Sequence, residues 1–463
     1  MLNCYTKKDQ NLVKIKPLTI DCLEKWLQSE SPEIRQWVAS CYFSARPCEY
    51  CMIPDAKGDI KTVLIGIAHL NDFWPIGMLP KILPKNNYVI DHTFFDAEQY
   101  ERLLMAWGLG SYQFNRYLMQ PKPTRPIVAQ LYIPEFVTVE KLENLVSSIY
   151  LVRDMINTPA DDMGPADIAE AAEKVASENK ADIKIIKDTA LLNKGYPTIY
   201  AVGRACEKPP HLIDLHWGDK NAPKITLVGK GVCFDTGGLD LKSAAGMRFM
   251  KKDMGGAAHA LALARLIMLN KLPVRLRLII PAVENSIGAR SYHPGDIIKT
   301  RGGFSVEIHN TDAEGRLILC DAIAEAVSEK PDYLIDFATL TGAARVALGP
   351  ELGAMFCNNE NFSTAILNSS NKVLDPIWRL PLYKPYRDFF KSEIADMANA
   401  SNSGYAGAIT AALFLQTFVS DDIPWMHFDI NAFNDEAKPG RPMGGEAQTL
   451  RAVFDFLQTR YSS

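Results

Sequence analysis

From residue 165 onward the chain alternates between two hydrophobic periods, and this alternation restricts its fold more than any other feature. Short apolar runs at 183–186, 211–217, 224–229, 276–283, 333–337 and 425–430 have strand length. Between and around them, 165–177, 256–270, 317–328 and 406–418 carry apolar residues at helical spacing, and a closing helix is expected near 446–459. Strands that alternate with helices imply βαβ units and a mainly parallel sheet covered on both faces. In such sheets a ligand site forms beyond the carboxyl ends of the strands.

The first part of the chain reads as a separate α/β unit. Helices are expected at 19–28 and 32–40, strands at 61–67 and 127–133, and an irregular proline-bearing stretch at 75–84. A helix over 97–117 is expected to break at Gly108 and Gly110. Over 139–156, Leu142, Leu145, Val146, Ile149, Val152, Met155 and Ile156 fit a long helix with one buried face. Asn157-Thr158-Pro159 stops it, because proline cannot continue the hydrogen-bond ladder. The expected organisation is a smaller N-terminal α/β domain (1–138), a linking helix (139–156) and a larger C-terminal domain (157–463). The larger domain is read as a mainly parallel central sheet flanked by helices.

Composition bounds the functions open to such a chain. Its 463 residues exceed one ordinary core, and 47% apolar with 22% charged residues is a globular balance. A net charge of -4 gives no general pull toward nucleic acid or anionic membrane. No apolar run approaches the roughly 18 residues of a membrane span, and the polar start Met1-Leu2-Asn3-Cys4-Tyr5-Thr6-Lys7-Lys8 lacks a signal-peptide core. A cytoplasmic, reducing home is expected. Nine scattered cysteines agree with it; Cys48-Glu49-Tyr50-Cys51 has no second pair at zinc-ribbon spacing and reads as ordinary thiols.

Two polar clusters carry the chemistry. The first is Asn310-Thr311-Asp312-Ala313-Glu314-Gly315-Arg316-Leu317, at an expected strand-to-helix turn. It can aim two oxygen ligands at a metal ion while helical amides face an anion. Alone, it could equally be a helix start with acidic residues matched to the dipole. The second runs from Gly229-Lys230-Gly231 through Asp235 and Lys242 to Met250-Lys251-Lys252-Asp253-Met254-Gly255-Gly256.

Bringing Asp235, Asp253, Asp312 and Glu314 together without metal would make the carboxylates repel and raise some of their pKa values. Two divalent ions about 3.5–4 Å apart would resolve the conflict, bind a hydroxide and polarise a carbonyl. Lys230 lacks the surroundings of a phosphate-loop lysine, and a lysine flanked by cations can become a nitrogen ligand. Lys242 could otherwise be a surface charge, and Asp240 is read as a solvated loop residue. There is no HExxH and no GxSxG, and the eight histidines never stand at i, i+4 spacing; His309, beside the turn, is read as structural.

The octapeptide 310–317 resembles the signature of the leucyl (cytosol) aminopeptidase family of two-metal exopeptidases. The stretch 229–256, the run Asp336-Phe337-Ala338-Thr339-Leu340-Thr341-Gly342-Ala343, and the segments 394–397 and 407–415 are similar to that family too, so the resemblance covers most of 150–463. It implies a catalytic C-terminal domain in which Asp235, Asp312 and Glu314 hold two divalent ions (Mn2+ or Zn2+), with Lys230 and Asp253 completing the second, tighter site. It implies that Lys242 stabilises the oxyanion formed when a metal-bridging hydroxide attacks the first carbonyl. Arg316, with amides near Gly315 and Leu340, would hold a bicarbonate acting as general base. Met250, Thr339 and Leu340 would line a pocket for the first side chain, leucine-like by preference, although Met250 could equally be core.

The same resemblance implies peptide substrates and a homohexamer of paired trimers. A two-metal phosphoesterase usually has histidine ligands, and none is evident here. A non-catalytic binding protein on this fold, including a DNA binder, is disfavoured by the intact ligand set and acidic balance.

Overall fold

The computed structural model describes residues 1–119 and 129–461. They fall into two compact units, Met1–Tyr150 with Asp435–Met443, and Leu151–Asn434 with Gly444–Ser463. The helix Val139–Asn157 carries the chain from the first into the second.

The first unit is built on β1 (Tyr5–Thr6), β2 (Val13–Leu18), β3 (Tyr50–Pro54), β4 (Ile60–Gly66), β5 (Asn87–Ile90) and β6 (Gln130–Tyr132). They lie in the order β1-β6-β5-β2-β4-β3, all parallel except the β3–β4 hairpin. Of the strand expected at 127–133, positions 127 and 128 lie outside the described residues. Residues expected to be irregular wind into a 3-10 helix, Trp74–Lys81, with Pro75 in its first turn where a missing N–H is tolerated.

The helix expected over 97–117 is Ala97–Gly110, opened by a reciprocal cap between Asp96 and Gln99. Gly108 does not break it. A Cβ there would lie 2.2 Å from the Tyr5 hydroxyl, and one on Gly110 would lie 1.8 Å from the Gly77 carbonyl oxygen. Gly108 thus serves close packing rather than helix breaking, while the helix does end at Gly110, as expected.

The second unit holds β7 (Asp182–Lys187), β8 (His211–Trp217), β9 (Lys224–Gly229), β10 (Gly231–Asp235), β11 (Arg275–Asn285), β12 (Ile297–Lys299), β13 (Ser305–Glu307), β14 (Tyr333–Ala338), β15 (Gly353–Cys357), β16 (Ile377–Arg379), β17 (Met397–Ala398) and β18 (Trp425–Asp429). Its large sheet runs β16-β15-β18-β14-β9-β11-β8-β7, with β10 paired to the end of β11. The central pairs β11–β9, β9–β14 and β14–β18 are parallel, while β8 and β15 join antiparallel toward the edges. Central strands read as continuous apolar runs because both faces are covered. The helices Gly255–Leu269 and Glu314–Val327 are buried over most of their length. The second of these starts three residues earlier than the pattern at 317–328 suggests, so Glu314 is itself the first helical residue.

One polar element sits inside this core. Asp336 on β14 and His427 on β18 are register partners, both fully buried, with His427 Nδ1 2.5 Å from Asp336 Oδ1. Trp425 Nε1 donates to Asp336 Oδ2 at 2.7 Å. Burial alone would lower the His427 pKa, but the Asp336 carboxylate outweighs it and raises the imidazole above its ordinary value. A raised pKa gives stability that is complete below about pH 6.5 and is lost as pH rises through the folded-state value. His427→Gln is therefore expected to cost about 3–5 kcal/mol at pH 6, by leaving a buried carboxylate without its cation. It should also flatten the decline of stability above about pH 7. Urea unfolding of both chains across that pH range checks this.

Candidate metal centre

The site residues leave the sheet at its carboxyl end. Lys230 lies between β9 and β10; its N–H donates to Phe337 O at 3.0 Å, and its carbonyl accepts from Ala257 N at 2.8 Å. That fixes Lys230 between β14 and the helix that follows Gly255. Asp235 ends β10 opposite Asn285, the last residue of β11. Asn285 Nδ2 donates to Asp235 Oδ1 at 2.8 Å and to Thr311 O at 3.1 Å. Tyr292 Oη donates to the same carbonyl at 2.6 Å. Asp240 is an exposed loop residue, as expected, and its carboxylate also accepts from Thr311 N at 2.8 Å, which holds the turn that carries Asp312 and Glu314.

The two clusters meet. Lys230 Nζ lies 2.9 Å from Asp253 Oδ1 and 3.0 Å from Glu314 Oε1, and donates to Thr339 O at 2.9 Å. Lys242 Nζ lies 2.8 Å from Asp235 Oδ2 and also pairs with Asp312. Asp235, Asp312 and Glu314 each offer a carboxylate oxygen within 4.8 Å of the other two. Gly315 makes room: a Cβ there would stand 2.5 Å from Lys230 Cε.

The electrostatics are those of a crowded anionic cluster. Burial, then Asp235, holds the Glu314 carboxyl well above its ordinary range. The same two causes raise Asp312 to about 6, and burial raises Asp253. Burial would lower Lys230, but Asp253, Glu314 and Asp235 outweigh it and hold its pKa above the usual lysine value. Lys242 is likewise raised by Asp235 and Asp312 against burial.

Within the ion-paired cluster itself, four carboxylates share two ammonium groups, a formal −2, while Arg316, Lys252 and Arg345 line the same cavity without joining these pairs. Glu314 Oε2 is buried with no hydrogen-bond partner. An oxygen donor set of clustered carboxylates with an orphaned buried carboxylate oxygen fits hard divalent cations.

Around the carboxylates lies a cavity of about 300 Å3. Arg316 reaches it from the helix that Glu314 starts; burial lowers its pKa to about 10, so it remains a cation at neutral pH. Its Nε has no partner and its guanidinium carbon stands 6.0 Å from the Phe414 ring centre. A buried guanidinium offering free donors to a cavity is suited to an anion. Met250, Thr339 and Leu340 line the same cavity, so Met250 is half-buried wall rather than core. His309 does not line it; its Nε2 stands 3.2 Å from Glu307. All nine cysteines are free thiols.

Residues 150–454 match the model of the cytosol aminopeptidase family, catalytic domain. The chain belongs to this family. Residues 13–134 match the M17 aminopeptidase N-terminal domain. Among curated proteins, a "probable cytosol aminopeptidase" of Rhodopirellula baltica is 39% identical over 324 residues, 69% of this chain and 64% of that one, so the match spans less than two thirds of the relative's length. Among solved structures, the cytosol aminopeptidase from Coxiella burnetii is 54% identical, covers 99% of this chain and 100% of its own, and superposes with a TM-score of 0.96. The bottromycin maturation enzyme BotP, solved in complex with Mn, is 29% identical over 97% and 99% of the two chains, with a TM-score of 0.87. The family consists of metal-dependent exopeptidases, and the α/β architecture described above is theirs. No described helix is long and apolar enough to cross a membrane.

Proposed function

We propose that this chain is a metal-dependent aminopeptidase that removes the N-terminal residue from peptides. The observation that carries the reading is the convergence of Asp235, Asp312 and Glu314 with Lys230 and Asp253 in one cavity, where Glu314 Oε2 is buried without a hydrogen-bond partner. These five side chains are the assigned holders of two divalent ions, Mn2+ or Zn2+. When bound, such a pair would supply a hydroxide nucleophile and a Lewis acid for the scissile carbonyl.

The chain's own groups do the rest. Lys242 holds an ammonium beside Asp235 and Asp312, where it can donate to the developing oxyanion. Arg316, with an amide near Gly315, is assigned to hold a bicarbonate that serves as general base, which the unpartnered Arg316 Nε supports; the Leu340 N–H, expected to help, donates instead to Asp429 Oδ1 at 2.9 Å. Lys230 is held protonated by its carboxylates, and two cations beside it would reverse that balance and allow its role as a nitrogen ligand. Met250, Thr339 and Leu340 form the wall for the first side chain, which supports acceptance of leucine.

The same proposal divides the chain into an N-terminal domain (1–138), a linking helix (139–156) and a catalytic domain (157–463), supported by the two family matches. It includes a cytoplasmic setting, consistent with nine free thiols, and a homohexamer by family analogy.

Anchoring a free α-amino group is what makes such a site an exopeptidase, since an internal residue has none to offer. With Mn2+ present, leucyl p-nitroanilide is expected to be hydrolysed and its N-acetyl derivative to be inert. Equal hydrolysis of the two, or hydrolysis in excess chelator, would exclude the reading.

A further inference from the structure

The cavity beside the carboxylates is not apolar throughout. Lys252, two residues after Met250, lines it and is 5% exposed. Its Nζ donates to Asn431 O at 2.7 Å and to Asn431 Oδ1 at 2.8 Å. An ammonium has three donors, so these two acceptors leave one unused.

Arg345 also lines the cavity, with Nη1 3.4 Å from the same Asn431 Oδ1. Both cationic side chains thus share one acceptor, and no carboxylate stands within ion-pair distance of either among the described residues. A spare donor on a buried nitrogen is costly unless an acceptor reaches it. Met250 and Leu340 present apolar surface on the way in.

We propose that this wall selects an N-terminal residue with an aliphatic stem and a carbonyl-bearing end, glutamate foremost and glutamine next, as well as admitting leucine; this rests on the aminopeptidase reading. The stem lies against Met250 and Leu340, and the terminal oxygen accepts from Lys252 with Arg345 adding positive field. A lysine side chain, bringing only donors to a wall that offers donors, is rejected. Sites built to hydrogen-bond a substrate group discriminate strongly against analogues that lack it, whereas one methylene more or less matters little.

The test compares kcat/KM for glutamyl, glutaminyl, leucyl and lysyl p-nitroanilides on the Mn2+-loaded native chain, Lys252→Met and Arg345→Gln. The native chain is expected to turn over the glutamyl substrate at least as well as the leucyl one and about a hundredfold better than the lysyl one. Lys252→Met should reduce the glutamyl-to-leucyl ratio at least tenfold, and Arg345→Gln, on the exposed edge, two- to threefold. An unchanged ratio in both variants, or a native chain that prefers lysine, would overturn the proposal. Calorimetric titration of the same Mn2+-loaded proteins with free L-glutamate and L-leucine gives the ratio without turnover. Should every anilide prove inert, the aminopeptidase reading falls, while the titration still decides what the wall recognises.

Discussion

Lys242→Met is expected to lower kcat for leucyl p-nitroanilide by about 100- to 1,000-fold, the loss typical of removing one donor to a developing oxyanion. KM should move little, because the interaction belongs to the transition state. Lys242 Nζ stands between Asp235 and Asp312, and its charge is held by both. A purely structural lysine there would give a different signature. Removing a cation from between two metal-holding carboxylates leaves Mn2+ affinity unchanged or tighter, since a competitor has gone. Loss of kcat with undiminished Mn2+ binding therefore assigns Lys242 to the reaction, whereas loss of both would assign it to holding the site together. Lys242→Arg is expected to recover only part of the rate, because a planar fork does not replace a compact point charge.

Glu314→Gln is expected to reverse its effect on stability according to whether ions are bound. In the chelated chain Glu314 is a buried carboxyl with one unpartnered oxygen, held above its ordinary pKa by burial and Asp235. Removing that charge relieves repulsion, so the melting temperature should stay level or rise. With Mn2+ at 100 times its Kd, the native chain gains about 2.7 kcal/mol, and a variant binding a hundredfold more weakly gains only about 0.4 kcal/mol. Scanning calorimetry of both proteins, with chelator and with Mn2+, should thus show the native chain responding strongly and the variant barely. A variant with the native response would remove Glu314 from the ligand set.

The parts of this molecule that could be read from sequence are those set by local pattern. Alternating periods give the large sheet, because strands buried on both faces are continuously apolar, and the 310–317 turn declares its carboxylates openly. Other features depend on partners distant in the chain. Strand β10 is short and runs between Lys230 and Asp235, so its polar ends hide it. Gly108 looks like a helix breaker until Tyr5 is seen against it. Asp240 is exposed as its sequence suggests, and only the fold reveals Thr311, 71 residues away, donating to its carboxylate. Asn285 lies two residues beyond the strand expected at 276–283, yet it joins Asp235 to the turn. Lys252 is one lysine of a pair in sequence, and only the fold separates it from Lys251, whose Nζ donates to Asn157 O, by burying it beside Asn431.

The central claim is that Lys230, Asp235, Asp253, Asp312 and Glu314 converge to hold two divalent cations. Calorimetric titration of the metal-stripped chain with Mn2+ tests it most directly. Two ions bound per chain, falling to one or none in Glu314→Gln, is the result expected; a native chain that takes up no Mn2+, or binds it equally well without these carboxylates, would contradict it.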